Sequence, residues 1–255
     1  MDLGLTGKVA MVTGGSRGLG RAMAHALADE GMHVSICART RDPLNEAVAA
    51  LTKASSAMGF VGDMTKPDDA QRWVDETVKK FGGIDVLVNN AGSARPGALA
   101  ELPESAWQEQ FDLNLFAPVR LARVCAEHME KRGGGSIINI GSIYGRESGG
   151  PLTYNASKAA LHSFTKMLAR EFAPKNIRVN TIAPGSILTA GGIWEQLFRE
   201  NPAFEKDFIS HELPAGRLGR PDEVAYAVVM LASPRASWIT GANIPVDGAQ
   251  GRSIL

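Results

Sequence analysis

The stretch Thr13-Gly14-Gly15-Ser16-Arg17-Gly18-Leu19-Gly20 joins a short apolar run to a helical pattern. Glycines let a chain turn tightly and let its backbone approach a diphosphate. The first turn of the next helix offers free N–H groups and the positive end of its dipole to phosphate oxygens. No Gly-Lys-Ser/Thr follows, so this is not a Walker loop. A tight turn without a ligand is the alternative, but the strand–turn–helix context favours nucleotide binding, with these candidate contacts: Gly14, Ser16, Arg17, Gly18, Leu19 and Gly20.

Short apolar runs alternate with helical patterns along the rest of the chain. We predict strands at Lys8–Thr13, His33–Ala38, Met58–Gly62, Asp85–Asn89, Ser136–Ile140, Ile177–Ile182 and Asn243–Val246. The predicted helices are Gly18–Glu30, Asp42–Ser55, Pro67–Phe81 and Pro221–Ala232, together with a helix that carries Tyr154 and ends at about Ala173. A further helical region extends from Pro103 to Arg132. It is expected to break near Asp112, because Pro118 fits poorly inside a helix. Such alternation predicts one doubly wound α/β domain over residues 1–255, with a mostly parallel sheet covered by helices on both faces.

Composition excludes several classes of partner. The 255 residues include 27 basic and 27 acidic side chains, so nothing in the net charge suggests nucleic acid or an anionic membrane. The apolar runs are too short to span a bilayer, and the first residues lack the pattern of a signal peptide. Cys37 and Cys125 lie in apolar runs and predict buried thiols, and the five histidines match no metal-ligand spacing. We therefore expect a cytoplasmic protein without a metal site.

The end of the second predicted strand indicates the type of nucleotide. This position is usually acidic when the ribose carries a free 2′-hydroxyl, but here the sequence is Cys37-Ala38-Arg39. Arg39 and Arg17 could hold a 2′-phosphate, and two solvated surface arginines are the alternative. After the third strand, Asp63 is a candidate hydrogen-bond partner for the adenine and Met64 a neighbouring contact. A turn-forming aspartate is the simpler interpretation of Asp63.

Tyr154 and Lys158 lie four residues apart, and therefore on one face of a helix. A nearby ammonium favours the phenolate, so we expect a lowered pKa for Tyr154, which would suit a general acid/base. A snorkelling surface pair is the alternative for this spacing alone. Other polar or small residues follow the predicted strands, at the edge where open α/β sheets bind ligands: Asn89-Asn90-Ala91-Gly92, Gly141-Ser142 and Pro184-Gly185, with Asn114 in the region after the fourth strand.

Together these motifs resemble the single-domain short-chain dehydrogenase/reductase family over essentially the whole chain. The matching residues are Thr13-Gly14 through Gly18 and Gly20, Asp63, Asn89-Asn90-Ala91-Gly92, Asn114, Ser142, Tyr154 with Lys158, Pro184-Gly185, and Gly241 followed by Val246-Asp247-Gly248. The resemblance implies a Rossmann sheet of seven strands in the order 3-2-1-4-5-6-7. It also implies a nicotinamide cofactor, for which the two arginines favour NADP(H), with NAD(H) as the alternative.

The family resemblance implies a role for each catalytic candidate. Tyr154 would exchange a proton with the substrate oxygen, and Ser142 would hydrogen-bond that oxygen. Lys158 would bind the nicotinamide ribose and lower the tyrosine pKa, and Asn114 would hold a water that links Lys158 to solvent. The implied contacts to the cofactor on this side are Asn90, Ala91, Gly92, Tyr154, Lys158, Pro184, Gly185, Ile187 and Thr189.

Two segments depart from the family pattern or vary within it. The loop Ile143–Thr153 is one residue shorter than usual, and its Tyr144 and Arg146 are candidate substrate contacts, with exposed loop residues as the alternative. Residues 186–219 are expected to form a substrate lid. Its apolar helical face, which includes Trp194 and Phe198, fits either an apolar substrate or ordinary packing of a small helix.

The resulting functional hypothesis is an oxidoreductase that acts on a ketone or secondary alcohol and is similar to 3-oxoacyl-carrier-protein reductases. Basic residues at Lys131, Arg132 and Lys175 agree with a carrier-protein substrate but are also common at helix ends. A sugar or polyol dehydrogenase using NAD(H) is one alternative, and a non-catalytic nucleotide sensor on the same fold is another. Family members pair helices equivalent to Pro118–Arg132 and Tyr154–Ala173, so we expect a homotetramer, or a homodimer, with Asn243–Leu255 near an interface.

Overall fold

The carboxyl ends of all strands in the sheet face the same edge. The computed structural model describes residues 1–254 and contains seven strands in the order β3-β2-β1-β4-β5-β6-β7, with parallel pairing throughout. The strands are β1 Val9–Thr13, β2 His33–Ala38, β3 Ala57–Val61, β4 Val86–Asn89, β5 Gly135–Ile140, β6 Ile177–Pro184 and β7 Asn243–Val246. The predicted fold class and strand order are confirmed, and the sheet is wholly rather than mostly parallel.

Nine α-helices accompany these strands within residues 1–254. They are α1 Gly18–Asp29, α2 Arg41–Leu51, α3 Pro67–Phe81, α4 Glu104–Phe111, α5 Ala117–Lys131, α6 Leu152–Phe172, α7 Ile193–Glu200, α8 Pro202–Glu212 and α9 Pro221–Ala232. The bounds predicted for α3, α9 and β7 are the observed ones. Both helices begin with a proline, whose missing N–H breaks no hydrogen bond because the first turn of a helix has no acceptor for it. In the described part of the chain, no helix is both long and apolar enough to cross a membrane.

Alternating side chains along the strands supply two hydrophobic cores, one on each face of the sheet. In β1, Ala10 and Val12 join the core beneath α1, α2 and α9, whereas Met11 joins the core beneath α3, α5 and α6. Full burial of a side chain such as Leu27 or Leu121 stabilises the fold by roughly 1.5–3 kcal/mol. The sheet is therefore covered on both faces, which leaves its carboxyl edge open for a ligand.

The predicted break near Asp112 takes the form of a π-helical turn. Between α4 and α5, residues Asp112–Phe116 form this turn, and the N–H of Ala117 donates to the carbonyl of Asp112. Pro118 consequently lies in the first turn of α5 rather than deep inside one longer α-helix, where its missing N–H would disrupt the hydrogen-bond ladder. Such single π turns occur often at functional sites.

His162 fixes α6 against the end of β5, the following 3-10 turn and the start of β7. Its ring packs so closely against Gly141 and Gly145 that a side chain at either position would collide with it. Asn243, the first residue of β7, places Nδ2 2.7 Å from the ring Nδ1. Burial lowers the pKa of His162 from 6.5 to about 4, and the positive charges of Lys158 and Arg146 act in the same direction. The imidazole is therefore neutral near pH 7.

The buried neutral state of His162 should make the fold sensitive to acid. The pKa of His162 is about 4 in the folded protein and 6.5 in the unfolded chain. Its contribution to the free energy of unfolding is therefore complete above pH 6.5 and is lost as the pH falls toward 4. The full loss is at most about 3 kcal/mol in the free energy of unfolding. Urea unfolding at a series of pH values should show a weaker pH dependence in His162→Gln than in the wild type. Parallel stability curves for the two proteins would contradict this account.

Candidate active site

The glycine-rich turn forms an open cradle at the carboxyl end of β1. Gly14 and Gly18 adopt φ values of +66° and +55°, which favour glycine, and a side chain at Gly20 would collide with the backbone of Gly14. Arg17 is the N-cap of α1, and no side chain caps this helix. The first N–H groups of α1 therefore have no side-chain acceptor, and the cradle fits the diphosphate of a dinucleotide.

A threonine hydroxyl ties the cradle to the next strand of the sheet. The Oγ1 atom of Thr13 accepts hydrogen bonds from the backbone N–H groups of Asn90 and Ala91, both at 2.8 Å. In return, Nδ2 of Asn90 donates to the carbonyl of Thr13 at 2.9 Å. Asn90 and Ala91 thus lie beside the cradle, and the Asn90 side chain holds the turn.

The two arginines predicted to bind a 2′-phosphate both lie at the surface. Arg17 and Arg39 are exposed, and each follows the carboxyl end of a strand, β1 or β2. Within residues 1–254, neither guanidinium forms an ion pair. Their donors are therefore available to an anionic group.

The two residues after β3 that were predicted to contact the adenine, Asp63 and Met64, use their side chains within the protein. Oδ1 of Asp63 accepts hydrogen bonds from the backbone N–H and the hydroxyl of Thr65, at 3.0 and 2.8 Å. Asp63 therefore forms the turn that its simpler interpretation predicted. The side chain of Met64 is buried in the core shared with α3, so only its backbone can face a ligand.

Asn114 lies in the π-helical turn and is buried. Its Oδ1 accepts from the N–H of Ser93 at 3.0 Å, while Nδ2 donates to the Ser93 carbonyl at 3.0 Å and to the Ser157 hydroxyl at 2.9 Å. Its side chain thus joins the loop after β4 to the helix α6. Gly92 lies beside it, because a side chain there would approach both Asn114 Oδ1 and the Lys158 ammonium.

Lys158 carries a buried ammonium beside Tyr154. Its Nζ donates to the carbonyl of Ile140, the last residue of β5, at 2.7 Å, and lies 5.5 Å from the centre of the Tyr154 ring. Such a position over an aromatic face is favourable for a cation. Burial lowers the pKa of Lys158 to about 8, because removing the ammonium from water disfavours its charged form.

The pKa of Tyr154 is shifted in the direction opposite to the expected one. Burial raises the pKa of the phenol, a hydrogen bond with the Ser142 side chain opposes this, and the neighbouring Tyr144 adds to it. Lys158 sits over the ring rather than at the hydroxyl, so desolvation outweighs its charge. Tyr154 is therefore held as a neutral phenol whose hydroxyl contacts Ser142.

Ser142 is positioned by the end of β5. It is buried, and its Oγ accepts from the N–H of Tyr144 at 3.2 Å as the cap of a short 3-10 helix, Ile143–Gly145. Because this cap leaves the hydroxyl hydrogen free to rotate, Ser142 can also bond Tyr154 and a substrate oxygen. The structure thus brings Ser142, Tyr154 and Lys158 together at one strand end.

The segment after β6 lines the opposite side of the crevice. Pro184 ends β6, and the N–H of Gly185 donates to the carbonyl of Val246 at 3.1 Å. Ile187 is buried and pairs with Gly219 in a parallel bridge that closes the base of the lid. Thr189 lies next to the cradle, since its side chain is the nearest neighbour that a substituent on Gly18 would meet.

The lid consists of the helix pair α7 and α8, which has a small core of its own. Phe198, Leu213 and Leu218 are buried in this core, and Trp194 packs against Phe208 with ring centres 4.5 Å apart. Ordinary packing therefore explains most of its apolar face, although Ile193 remains exposed.

A cleft of about 540 Å³ separates the lid from the loop between Ser142 and α6. Phe204 and Phe208 of the lid face Tyr144 of this loop across it, and its polar lining includes Asp207 and Glu212. Tyr144 thus lines a cleft and is only partly exposed, and its role as a substrate contact stays a prediction. Arg146 is not among the described lining residues.

Several residues of the site carry no recognisable sequence signal. Gln250 is buried in the tail after β7, and Glu147 receives two backbone N–H groups of the same tail. Asn155, directly after Tyr154, donates to the carbonyls of Glu147 and Gly149. These residues bind backbone groups or residues that lie far away in the sequence. No local pattern of residue types therefore indicates their contacts.

Two of the three basic residues considered for a carrier protein, Arg132 and Lys175, form ion pairs within the described part of the chain, whereas Lys131 is exposed and forms none there. Arg132 contacts Asp85 through two nitrogens, both at 3.0 Å, and Lys175 pairs with Glu130 at 2.8 Å. The first pair fastens the end of α5 to the residue before β4, and the second joins α5 to the segment that follows α6. Within residues 1–254, no cluster of His, Cys, Asp and Glu side chains could hold a metal ion.

Comparison with known proteins places this geometry in a family. A family model described as enoyl-(acyl carrier protein) reductase matches residues 14–249. Dehydrogenase/reductase SDR family member 4 of Mus musculus is 39% identical over 252 residues, which span 96% of this chain and 87% of that protein. The 3-oxoacyl-[acyl-carrier-protein] reductase FabG of Vibrio cholerae is 38% identical over 247 residues, 96% of this chain and 98% of its own length.

Solved structures agree with these relatives. The L-sorbose reductase of Gluconobacter frateurii, determined as a complex with NADPH and L-sorbose, superposes with a TM-score of 0.95 at 36% identity and covers all of both chains. A short-chain type dehydrogenase/reductase from Mycobacterium marinum gives a TM-score of 0.89 at 33% identity, and the match covers 98% of this chain and 97% of that one. The chain therefore belongs to the short-chain dehydrogenase/reductase family and is an oxidoreductase.

Proposed function

We propose that this chain transfers a hydride between NADP(H) and a ketone or secondary alcohol, with Tyr154 as the acid/base. The observation that carries the proposal is the convergence of Ser142, Tyr154 and Lys158 at the end of β5, beside an uncapped helix N-terminus. When bound, the nicotinamide supplies the hydride chemistry. The residues of the chain bind the substrate, orient it and move its proton.

The raised pKa of Tyr154 suits proton donation to a carbonyl oxygen. A phenol held neutral by burial keeps its proton until negative charge develops on the substrate oxygen. Ser142 contributes a second hydrogen bond to that oxygen. Once the proton has left Tyr154, the Lys158 ammonium, which is mostly charged at pH 7, stabilises the phenolate.

Asn114 supports proton exchange as a positioning residue. Its side-chain bonds fix Ser93 and Ser157 on the two sides of the site, and it lies in a π turn near the Lys158 ammonium. We assign it the task of holding a water that returns protons from solvent to Lys158 and Tyr154.

A hydroxylated ketone is the substrate class that the cleft favours over an acyl thioester. Aromatic faces of Phe204 and Phe208 can pack against the carbon skeleton, while Asp207 and Glu212 accept hydrogen bonds from hydroxyl groups. His211 and Arg252 also line the cleft, at 3.1 Å from Asp207 and 3.4 Å from Glu212, so acceptors for hydroxyl groups rather than net charge favour the hydroxylated ketone. The superposed L-sorbose reductase, a complex with NADPH and a ketose, supports the same assignment.

Replacing Tyr154 by Phe tests both the mechanism and the substrate class. The wild type should oxidise NADPH with L-sorbose, with a higher kcat/KM than with acetoacetyl-coenzyme A. Tyr154→Phe should lower kcat roughly 10²–10⁴-fold, the usual contribution of general acid catalysis. NADPH binding, measured by fluorescence titration, should change little, and the exposed Tyr226→Phe is the matched control.

Full activity of Tyr154→Phe would exclude this mechanism. Tight NADPH binding by the wild type without turnover of either ketone would instead favour the nucleotide-sensing alternative.

The two exposed arginines support a preference for NADP(H). A guanidinium–phosphate hydrogen bond contributes about 1.5–3 kcal/mol, so Arg39→Ala should lower kcat/KM for NADPH roughly ten- to hundredfold and leave NADH nearly unchanged. Arg17→Ala should act in the same direction. Arg41→Ala, an exposed arginine at the start of α2, is the control. Better use of NADH than of NADPH by the wild type would refute the assignment.

Exposed apolar side chains support assembly into a homotetramer. Met167 on α6, Met230 on α9 and Trp238 before β7 are all more than two-fifths exposed. The C-terminal segment proposed to lie near an interface includes Leu255, which is outside the described residues. Light scattering should give four times the 27.1 kDa of one chain, and a monomeric mass at micromolar concentration would rule the assembly out.

A further inference from the structure

The tail that follows β7 lies across the site and is held by carboxylates. Asp247 accepts the N–H groups of Ala249 at 3.1 Å and Gly251 at 2.9 Å. Oε2 of Glu147 then accepts the next two, from Arg252 at 2.6 Å and Ser253 at 2.7 Å. Hydrogen bonds from N–H groups to a carboxylate are among the stronger ones in proteins.

The same tail is fastened at a second point, at the base of the lid. Oε1 of the buried Gln250 accepts from the N–H of Ser186 at 2.7 Å, and its Nε2 donates to the Ser186 hydroxyl at 3.0 Å. Gly185 must be a glycine here, because a side chain would collide with Gln250 and Asp247. The tail therefore connects the segment after β6 with the loop that carries Glu147.

That loop is in turn fixed to the helix of the catalytic tyrosine. Asn155 donates to the carbonyl of Glu147 at 2.8 Å and to that of Gly149 at 3.1 Å. Tyr144 packs against Gly149 and Gly150, where no side chain would fit. Glu147 thus joins three parts of the wall of the cleft: the Tyr144 loop, the start of α6 and the tail.

The backbone of the tail shows that it is constrained. Ala249 adopts a φ of +67°, a left-handed conformation that costs a residue other than glycine free energy. Such a conformation persists where the surrounding structure over-determines it. The exposed pair between Arg252 and Glu212, at 3.4 Å, adds little, so the bonds to Glu147 and those between Gln250 and Ser186 contribute more to the attachment.

We propose that Glu147 is a positioning residue that fastens residues 250–253 to the Tyr144 loop and thereby sets the wall of the substrate cleft. Glu147 itself lines the cleft beside Tyr144, while its carboxylate holds the tail and its carbonyl is bonded to the start of α6. The inference rests on the proposed function, because the cleft is taken to bind the ketone. The position of Glu147 should therefore determine substrate affinity more than the chemical step.

The test compares Glu147→Ala, Glu147→Gln and a chain that ends at Gly251, assayed with L-sorbose and NADPH. Glu147→Ala should raise KM for L-sorbose roughly tenfold and leave kcat and KM for NADPH within about twofold, because a displaced wall weakens ground-state and transition-state binding alike. Glu147→Gln keeps a carbonyl acceptor and should lie between Glu147→Ala and the wild type. The shortened chain should match Glu147→Ala, and combining the two changes should add nothing.

Hydrogen exchange supplies a readout that does not depend on turnover. The amides of Arg252 and Ser253 should be protected in the wild type and exchange faster in Glu147→Ala. Asp2→Ala is the matched control, because Asp2 accepts the N–H of Gly4 at 2.8 Å in the other terminal segment, before β1 and away from the carboxyl edge. It should leave both KM and tail exchange unchanged.

Each contrary result has a distinct meaning. Protected tail amides in Glu147→Ala, or released amides with an unchanged KM, would overturn the proposal for Glu147 while an active wild type upholds the proposed function. A wild type that turns over neither L-sorbose nor acetoacetyl-coenzyme A would overturn both. If Glu147→Ala does not fold, Glu147→Gln and the shortened chain decide the question by the same criteria.

Discussion

The parallel direction of all seven strands is the constraint on which the site depends. Gly14, Asn90, Ser142 and Gly185 are far apart in the sequence, yet each follows the carboxyl end of a strand and so reaches the same edge. Polar bonds keep that edge in register: the Thr13 hydroxyl binds the backbone after β4, and Asn89 donates to Asn139 on the neighbouring β5 at 2.8 Å. Because these groups are buried and paired, a shift of one strand would leave several of them without partners, which is costly inside a protein.

Burial controls the electrostatics of the site more than charge pairing does. Desolvation raises the pKa of Tyr154, lowers that of Lys158 to about 8 and lowers that of His162 to about 4. The three shifts are consistent with one another, since His162 lies one helical turn beyond Lys158 and two adjacent cations would repel. The ammonium is retained inside by the Ile140 carbonyl and the Tyr154 ring. The result is one positive charge beside a neutral phenol, an arrangement suited to giving a proton away.

Local patterns and prolines predicted the seven strands and most of the helices, but the two lid helices α7 and α8 were expected only as one segment with an apolar helical face. The bounds of α3 and α9 follow from a proline at each start, and the break before α5 follows from Pro118. What could not be predicted depends on three-dimensional packing. The direction of the shift in the Tyr154 pKa depends on burial and on the position of Lys158 over the ring. The burial of Met64 depends on how the end of β3 packs against α3. The tail binds Glu147 through backbone N–H groups, which every residue type except proline has. The roles assigned to the site residues and the cofactor preference stay predictions.

The π-helical turn at Asp112–Phe116 makes this part of the chain sensitive to length rather than to composition. A π turn accommodates one more residue than the α-helical turn it replaces, so loss of a single residue here would convert it to α geometry. The turn would then cover the same rotation with one residue fewer, so α4 and α5 would keep their mutual orientation while the side chains within the turn would point in other directions. Asn114 would turn away from Ser93 and Ser157, although every amino acid of the catalytic set would still be present. A variant with a one-residue deletion at this point would therefore retain all the motifs and lose the hydrogen bonds that connect Asn114 with the two sides of the site.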